Sequence, residues 1–158
     1  SGAEIEVIAA EDAVAEYNSL KLKKDVTLIV NDIKFSGSTE ITSGGTLTAG
    51  VVTTGGTTNV KDNASVKADE LYLTGSFNTA SGATIEAGLL QTGIVANRKF
   101  DKNNPSFKLV EYTTGSVKID NSTVDVDKFI DISGIMMTGS TLNADSMTDL
   151  HEDTEGGI

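Results

Sequence analysis

Cysteine and tryptophan are absent, and proline, arginine and histidine each occur once, as Pro105, Arg98 and His151. The lack of cysteine removes disulfides, thiolate metal sites and thiol nucleophiles together, and fits any compartment, the cell exterior included. With a single His and no Cys, a Cys–His or Ser–His catalytic arrangement has little material to work with, and His-rich metal coordination is excluded. No apolar run approaches the length that crosses a bilayer. Positive charge is scarce: 12 Lys and Arg stand against 23 Asp and Glu, a net charge of −11. Acidic residues crowd 4–16, 120–131 and 145–155, a field that repels phosphate backbones and anionic lipid and argues against nucleic-acid or bare-membrane binding.

What the chain has instead is threonine, 20 residues of it, and 16 glycines. Thr suits a pleated surface through its β-branch, and regularly spaced Gly marks tight corners. A repeat of about 19 residues organises both. Leu28, Leu47, Val66 and Ile85 follow one another at 19-residue steps, each inside a Thr/Ser-apolar-x-apolar unit. The series continues through Phe107, Val124 and Leu142 at steps of 22, 17 and 18. A second marker runs out of phase: Ser36-Gly37, Thr54-Gly55, Thr74-Gly75, Thr92-Gly93, Thr114-Gly115 and Ser133-Gly134. Two interleaved markers with one period indicate stacked coils of a solenoid.

The expected fold is therefore all-β: a single-stranded right-handed parallel β-helix of about six to seven coils, ~19 residues per coil. One coil reads as three short strands, Ser65 to Ala68, Glu70 to Leu73 and Ser76 to Thr79, giving a roughly triangular section. Leu47, Val66, Ile85, Phe107, Val124 and Leu142 are expected to form one buried ladder. Leu71/Leu73, Leu89/Leu90, Val110/Tyr112 and Phe129/Ile130/Ile132 are candidates for a second, and Ala49, Ala68, Ala87 and Ala144 for the tightest inner space. Three regions follow: 1–25 as an N-terminal strand and capping helix, 26–145 as the solenoid body, and 146–158 as an acidic C-terminal tail. The helix is expected over 10–20, where Ala10, Ala13, Val14, Tyr17 and Leu20 follow helical spacing. It would shield the first coil's open edge. At the other end Met136, Met137 and Met147 would cover the last coil. Otherwise the native chain continues past residue 158, and Ser1-Gly2 reads as a cloning remnant on a fragment.

The runs Gly45-Thr46-Leu47-Thr48-Ala49-Gly50, Asn63-Ala64-Ser65-Val66-Lys67-Ala68 and Gly82-Ala83-Thr84-Ile85-Glu86-Ala87-Gly88 resemble the repeats of large bacterial surface adhesins, autotransporter passengers and filamentous-haemagglutinin-like exoproteins. The opening strand, helix and Val26-Thr27-Leu28-Ile29-Val30 resemble the capped start of a pectin-lyase-like β-helix. Bactofilins, polymer-forming cytoskeletal proteins, use coils of similar size, and Ala68-Asp69-Glu70-Leu71-Tyr72-Leu73-Thr74-Gly75 fits either group. The adhesin resemblance implies an extracellular or cell-surface location and a non-enzymatic stalk that presents loops to a host or cell-surface protein or glycan. The alternatives are a carbohydrate-active β-helix enzyme and a bactofilin-like scaffold joined end to end.

Candidate sites are few, and no catalytic residue is assigned. The repeat is interrupted at 97–105, which holds the only Pro, the only Arg and a basic cluster. Asn97, Arg98, Lys99, Phe100, Asp101 and Lys102 are the candidate binding residues of a projecting loop, with Arg98 and Asp101 a surface ion pair. Asp125 and Asp127 alternate with Val124 and Val126, so both carboxylates point outward. They are candidate ligands for weakly held Ca²⁺, set against a plain solvated strand face, and no other cofactor is expected. Thr46-Leu47-Thr48 has the alternation of an ice-binding array, but the next coils interrupt it with Lys67 and Glu86. Asn63-Ala64-Ser65 and Asn121-Ser122-Thr123 match glycan-acceptor sequons and read as turn residues.

Overall fold

The computed structural model describes residues 4–7, 15–101 and 104–150, and its described residues contain sixteen β-strands and no helix. The chain winds as a right-handed parallel β-solenoid of about six turns, ~19 residues apart. The first lap is β1 (Glu4–Val7), β2 (Ala15–Tyr17) and β3 (Leu20–Leu22). The next three are β4 (Thr27–Phe35) with β5 (Ser38–Ile41), β6 (Thr46–Thr54) with β7 (Thr57–Val60), and β8 (Ser65–Leu73) with β9 (Gly75–Thr79). The fifth lap is β10 (Thr84–Gln91), an inserted pair β11 (Ile94–Asp101) and β12 (Asn104–Thr113), then β13 (Gly115–Asp120). The sixth is β14 (Thr123–Asp131) and β15 (Ile135–Thr138), after which β16 (Thr141–Asp149) begins another turn.

Every lap contributes to two parallel sheets. One has the order β1-β4-β6-β8-β10-β14-β16, with β2 also beside β4; the other has the order β15-β13-β9-β7-β5-β3. The long strands of the first sheet contain a bend. Along β6 the side chains of Leu47, Ala49, Val52 and Thr54 are buried, so two successive residues, Gly50 and Val51, face away from the core. The alternation skips the same beat at Asn31/Asp32 and at Asp127/Lys128, and the ladders pass over Gly50, Asp69 and Gly88. A period-two strand can show two outward residues in a row only by bending. Each lap therefore has three flat segments, as the sequence suggested, the first two merged into one strand.

The core is a set of columns, each made of the same position in successive laps. Leu28, Leu47, Val66, Ile85, Val124 and Leu142 stack in register. All but Leu142 are at least 95% buried. Ile33, Val52, Leu71, Leu90 and Phe129 form the column beyond the bend. Covering one such side chain contributes about 1.5–3 kcal/mol. Phe107, expected in the first column, is absent from it: Ile85 lies directly against Val124. Val110 and Tyr112 likewise leave the second column, because residues 94–113 fold outside the winding. Of the alanines, Ala49 is buried, whereas Ala68, Ala87 and Ala144 are half-buried beside the bend.

Both ends depart from expectation. The helix foreseen over 10–20 is not formed in its described part: Ala15–Tyr17 pairs with Ile33–Phe35, and Leu20–Leu22 pairs with Thr39–Ile41. The apolar residues of this stretch, Tyr17, Leu20 and Leu22, pack against the core. Their fit to the open edges of β4 and β5 outweighs the helical spacing; residues 8–14 lie outside the described set. At the other end, strand β16 runs through Asp149, so the first residues assigned to the acidic tail belong to the solenoid. Met137 packs against the core, but Met136 and Met147 are 56% and 59% exposed and cover nothing.

The turn from the second sheet into the next lap needs a left-handed residue in each lap. Asp25, Gly44, Asn63, Gly82, Asn121 and Gly139 fill it, all with positive φ. Asp, Asn and Gly are the residues that visit this conformation at tolerable cost. They also alternate for a packing reason. A Cβ at Gly44, Gly82 or Gly139 would collide with the Oδ1 of Asp25, Asn63 or Asn121, respectively, in the lap before. The two sequon asparagines, Asn63 and Asn121, are thus turn residues of this column.

Candidate functional site

Two features stand out from the regular winding: the insertion in the fifth lap and a groove along the bend of the first sheet. The insertion is an antiparallel hairpin in which Ile94 pairs with Thr113, Val95 with Tyr112, Arg98 with Val110, Lys99 with Leu109 and Phe100 with Lys108, closing at Asp101 opposite Asn104. The register shifts between Val95 and Asn97, and again between Phe100 and Asp101. The stretch foreseen as a projecting loop is therefore strand: Asn97, Arg98, Lys99, Phe100 and Asp101 lie on β11, while Lys102 lies outside the described residues, as does His151. The hairpin leaves the winding at a corner, between Gly93 and Gly115. Its two strands pair with each other and join neither sheet of the body. At its root Val95 is 40% exposed, and Thr113 and Thr114 are exposed too.

The corner beneath the hairpin is pinned by a buried polar network. Thr92 Oγ1 donates to Asp131 Oδ1 at 2.5 Å and accepts from the Ile132 N–H at 2.9 Å and the Ser133 N–H at 3.2 Å. The Gly134 N–H donates to the same carboxylate oxygen at 3.0 Å. One lap pair earlier the equivalent corner uses threonines alone: Thr54 Oγ1 accepts from the Thr74 N–H at 3.2 Å, and Thr74 Oγ1 donates to the Thr54 carbonyl. At the lap that follows the hairpin a carboxylate replaces the hydroxyl, which supplies an acceptor for two donors and holds the insertion point fixed. The glycine marker of this corner is a column through Gly37, Gly56, Gly75 and Gly115, so Gly56 and not Gly55 is the in-register member. A Cβ at Gly75 would meet the Gly56 backbone, which is why the position stays glycine.

The groove follows the bend. Small residues, Ala49, Ala68, Ala87 and Gly88, leave an open trough of about 530 Å³, flanked by Thr48, Lys67, Asp69, Glu86, Asp125 and Asp127. Both candidate calcium ligands thus face one feature. Their surroundings follow from the hairpin's lying outside the winding, since Glu86 then pairs directly with Asp125 and sets two carboxylates side by side. On its other side Glu86 lies 4.0 Å from Lys67 Nζ, an exposed ion pair of little energetic weight. Among the described residues no group of three or more His, Cys, Asp or Glu is placed to hold a metal ion. The four carboxylates gather along the trough with Lys67 among them, an arrangement that on balance attracts cationic groups. Next to the groove, burial and then the Glu70 carboxylate hold the Tyr72 phenol above its usual pKa. The outward column beside the trough reads Ile29, Thr48, Lys67, Glu86, Asp125 and Asn143, so no flat threonine array forms there.

Among the described residues no helix is long and apolar enough to cross a membrane. No protein-family model, curated protein or solved structure matches this chain. The likeness to adhesin repeats accordingly rests on the repeat pattern and the solenoid alone.

Sequence reasoning found the interruption and the Asp pair but missed the hairpin's true extent. The left-handed column gave no warning: Asp25, Gly44, Asn63 and Gly82 are 19 apart, Asp101 stands where the next would fall, and the next actual member is Asn121, 39 further on. A 39-residue step is two periods long, yet Gly82 donates directly to the Asn121 carbonyl in the neighbouring lap.

Proposed function

We propose that this chain is a non-enzymatic structural module of the cell exterior, a rigid solenoid that holds the β11–β12 hairpin away from its body for recognition. The observation that carries this reading is the hairpin itself, a ribbon inserted at a fixed corner and joined to neither sheet. Two-stranded ribbons are marginal in water by themselves, so one kept on a scaffold and joined to neither of its sheets serves something outside the core. In-register columns support the rigid role, because each lap templates the next and bending would open apolar seams. The cysteine-free, acidic composition suits an exposed rod that must stay dispersed. The partner class is a cell-surface or host protein or glycan.

The test is retention of beads coated with the chain on immobilised extracellular-matrix proteins and glycans. The intact chain is expected to be retained, and a variant lacking residues 94–114 is expected to be released; equal retention of the two would overturn the recognition role. A carbohydrate-active reading draws on the Glu86, Asp125 and Asp127 carboxylates in one trough. Product release from acidic polysaccharides, assayed with and without Ca²⁺ and abolished in Asp125→Asn, would put that reading first.

A further inference from the structure

The hairpin differs from the rest of the molecule in charge as well as topology. Residues 94–113 hold four of the chain's 12 basic side chains (Arg98, Lys99, Lys102 and Lys108) and only two of its 23 acidic ones, Asp101 and Glu111. The ribbon is net positive on a body that is strongly negative. Three of these cations sit in the part of the ribbon far from the root, at the pairs Arg98–Val110, Lys99–Leu109 and Phe100–Lys108. Phe100, Leu109 and Val110 belong to the same three pairs, on a ribbon that adds to neither sheet. Such a segment fits a surface that offers negative charge beside apolar atoms.

The molecule carries such a surface. The trough along the bend is lined by the carboxylates of Asp69, Glu86, Asp125 and Asp127 against one cation, Lys67, which lies beside Glu86, and by the methyls of Ala68 and Ala87. Ribbon and trough lie at different corners of the winding, the ribbon after Gly93 and the trough at Asp69, Gly88 and Asp127. The ribbon pairs with no strand of its own body. We propose that the β11–β12 hairpin of one copy docks in the acidic trough of a second copy. Repulsion between two chains of net charge −11 does not forbid this. At physiological ionic strength charges more than about 8 Å apart are largely screened, so the local pairing of cations with carboxylates decides the encounter. The contact is heterologous: it closes when each copy fills the other's trough, and otherwise runs on as a string of molecules.

This inference rests on the recognition role given to the hairpin and names its occupant. It is tested by charge exchange, with mass in solution as the readout. The intact chain is expected to associate with rising concentration at physiological salt and to fall apart at about 1 M salt. Arg98→Glu/Lys99→Glu/Lys108→Glu and, separately, Asp125→Lys/Asp127→Lys are each expected to weaken association at least about tenfold, equivalent to ~1.4 kcal/mol. Both sets leave the buried columns untouched, and circular dichroism confirms folding. Mixed one to one, the two variants are expected to recover a complex containing both. A chain that stays monomeric at its highest soluble concentration, association that survives removal of 94–114, or a mixture that fails to recover would each overturn the pairing. Hairpin-dependent retention on the matrices, if it persisted alongside such a failure, would leave the recognition role standing and assign the ribbon to a foreign surface.

Discussion

The solenoid body and the hairpin are both built of β-strands, held by opposite means. In the body each apolar side chain is covered by the same position of the laps before and after it. Leu47 lies between Leu28 and Val66, all three at least 95% buried. In the hairpin Val95 has one strand partner, Tyr112, and remains 40% exposed. The lesson is that a strand's stability here comes from neighbours far away in sequence and not from its own composition. A segment with no lap on either side stays separable, whatever its apolar content.

The contrast breaks most sharply at Val66. Val66→Asp puts an unpaired charge into a column that is 98% buried there, and should cost several kcal/mol, whereas Lys67→Asp on the outer face should cost under about 1 kcal/mol. Equal thermal melts for the two would contradict the columns. Next in size is Gly82→Val. The left-handed backbone and the collision with Asn63 Oδ1 should together cost about 2–3 kcal/mol. Gly88→Ala, where the backbone is not left-handed but a Cβ would press on the Asp69 carbonyl, is expected to cost less than that. Two residues of the body offer a gain. Thr39 and Thr58 hydroxyls are buried without a hydrogen-bond partner, so Thr58→Val should raise stability by about 1 kcal/mol, read as a shift in the denaturant midpoint.

The smallest effect sharpens the comparison from the hairpin's side. Removing residues 94–114 joins Thr92-Gly93 to Gly115, which reproduces the Thr54-Gly55-Gly56 corner of the third lap. The body should then close as an ordinary lap and melt within about 1 kcal/mol of the intact chain. A large loss would mean that the hairpin supports the winding it leaves.

Much of the fold was legible because solenoid contacts repeat at a fixed interval, and an interval survives in the sequence. Leu28, Leu47, Val66 and Ile85 declared their column, and the outward alternation of Asp125 and Asp127 gave their face. The ends were not legible. Tyr17, Leu20 and Leu22 satisfy helical spacing and strand alternation about equally, and what decides between them is the open edge of β4 and β5, which local sequence does not contain. The hairpin was half-legible. Pro105 and the basic cluster marked an interruption, but Ser106-Phe107-Lys108-Leu109 imitates a repeat unit and carried the ladder through a segment that lies outside it.

The period, the alternation of apolar and polar residues, and the need for Gly, Asn or Asp at one turn per lap were determined by the sequence itself, since each depends on side chains a constant distance apart along the chain. Which laps actually touch was decided only by the tertiary structure. Skipping the hairpin brings Ile85 onto Val124 and Glu86 beside Asp125 across 39 residues. Parallel strands pair through space, and an excursion of any length between them leaves no trace in either partner.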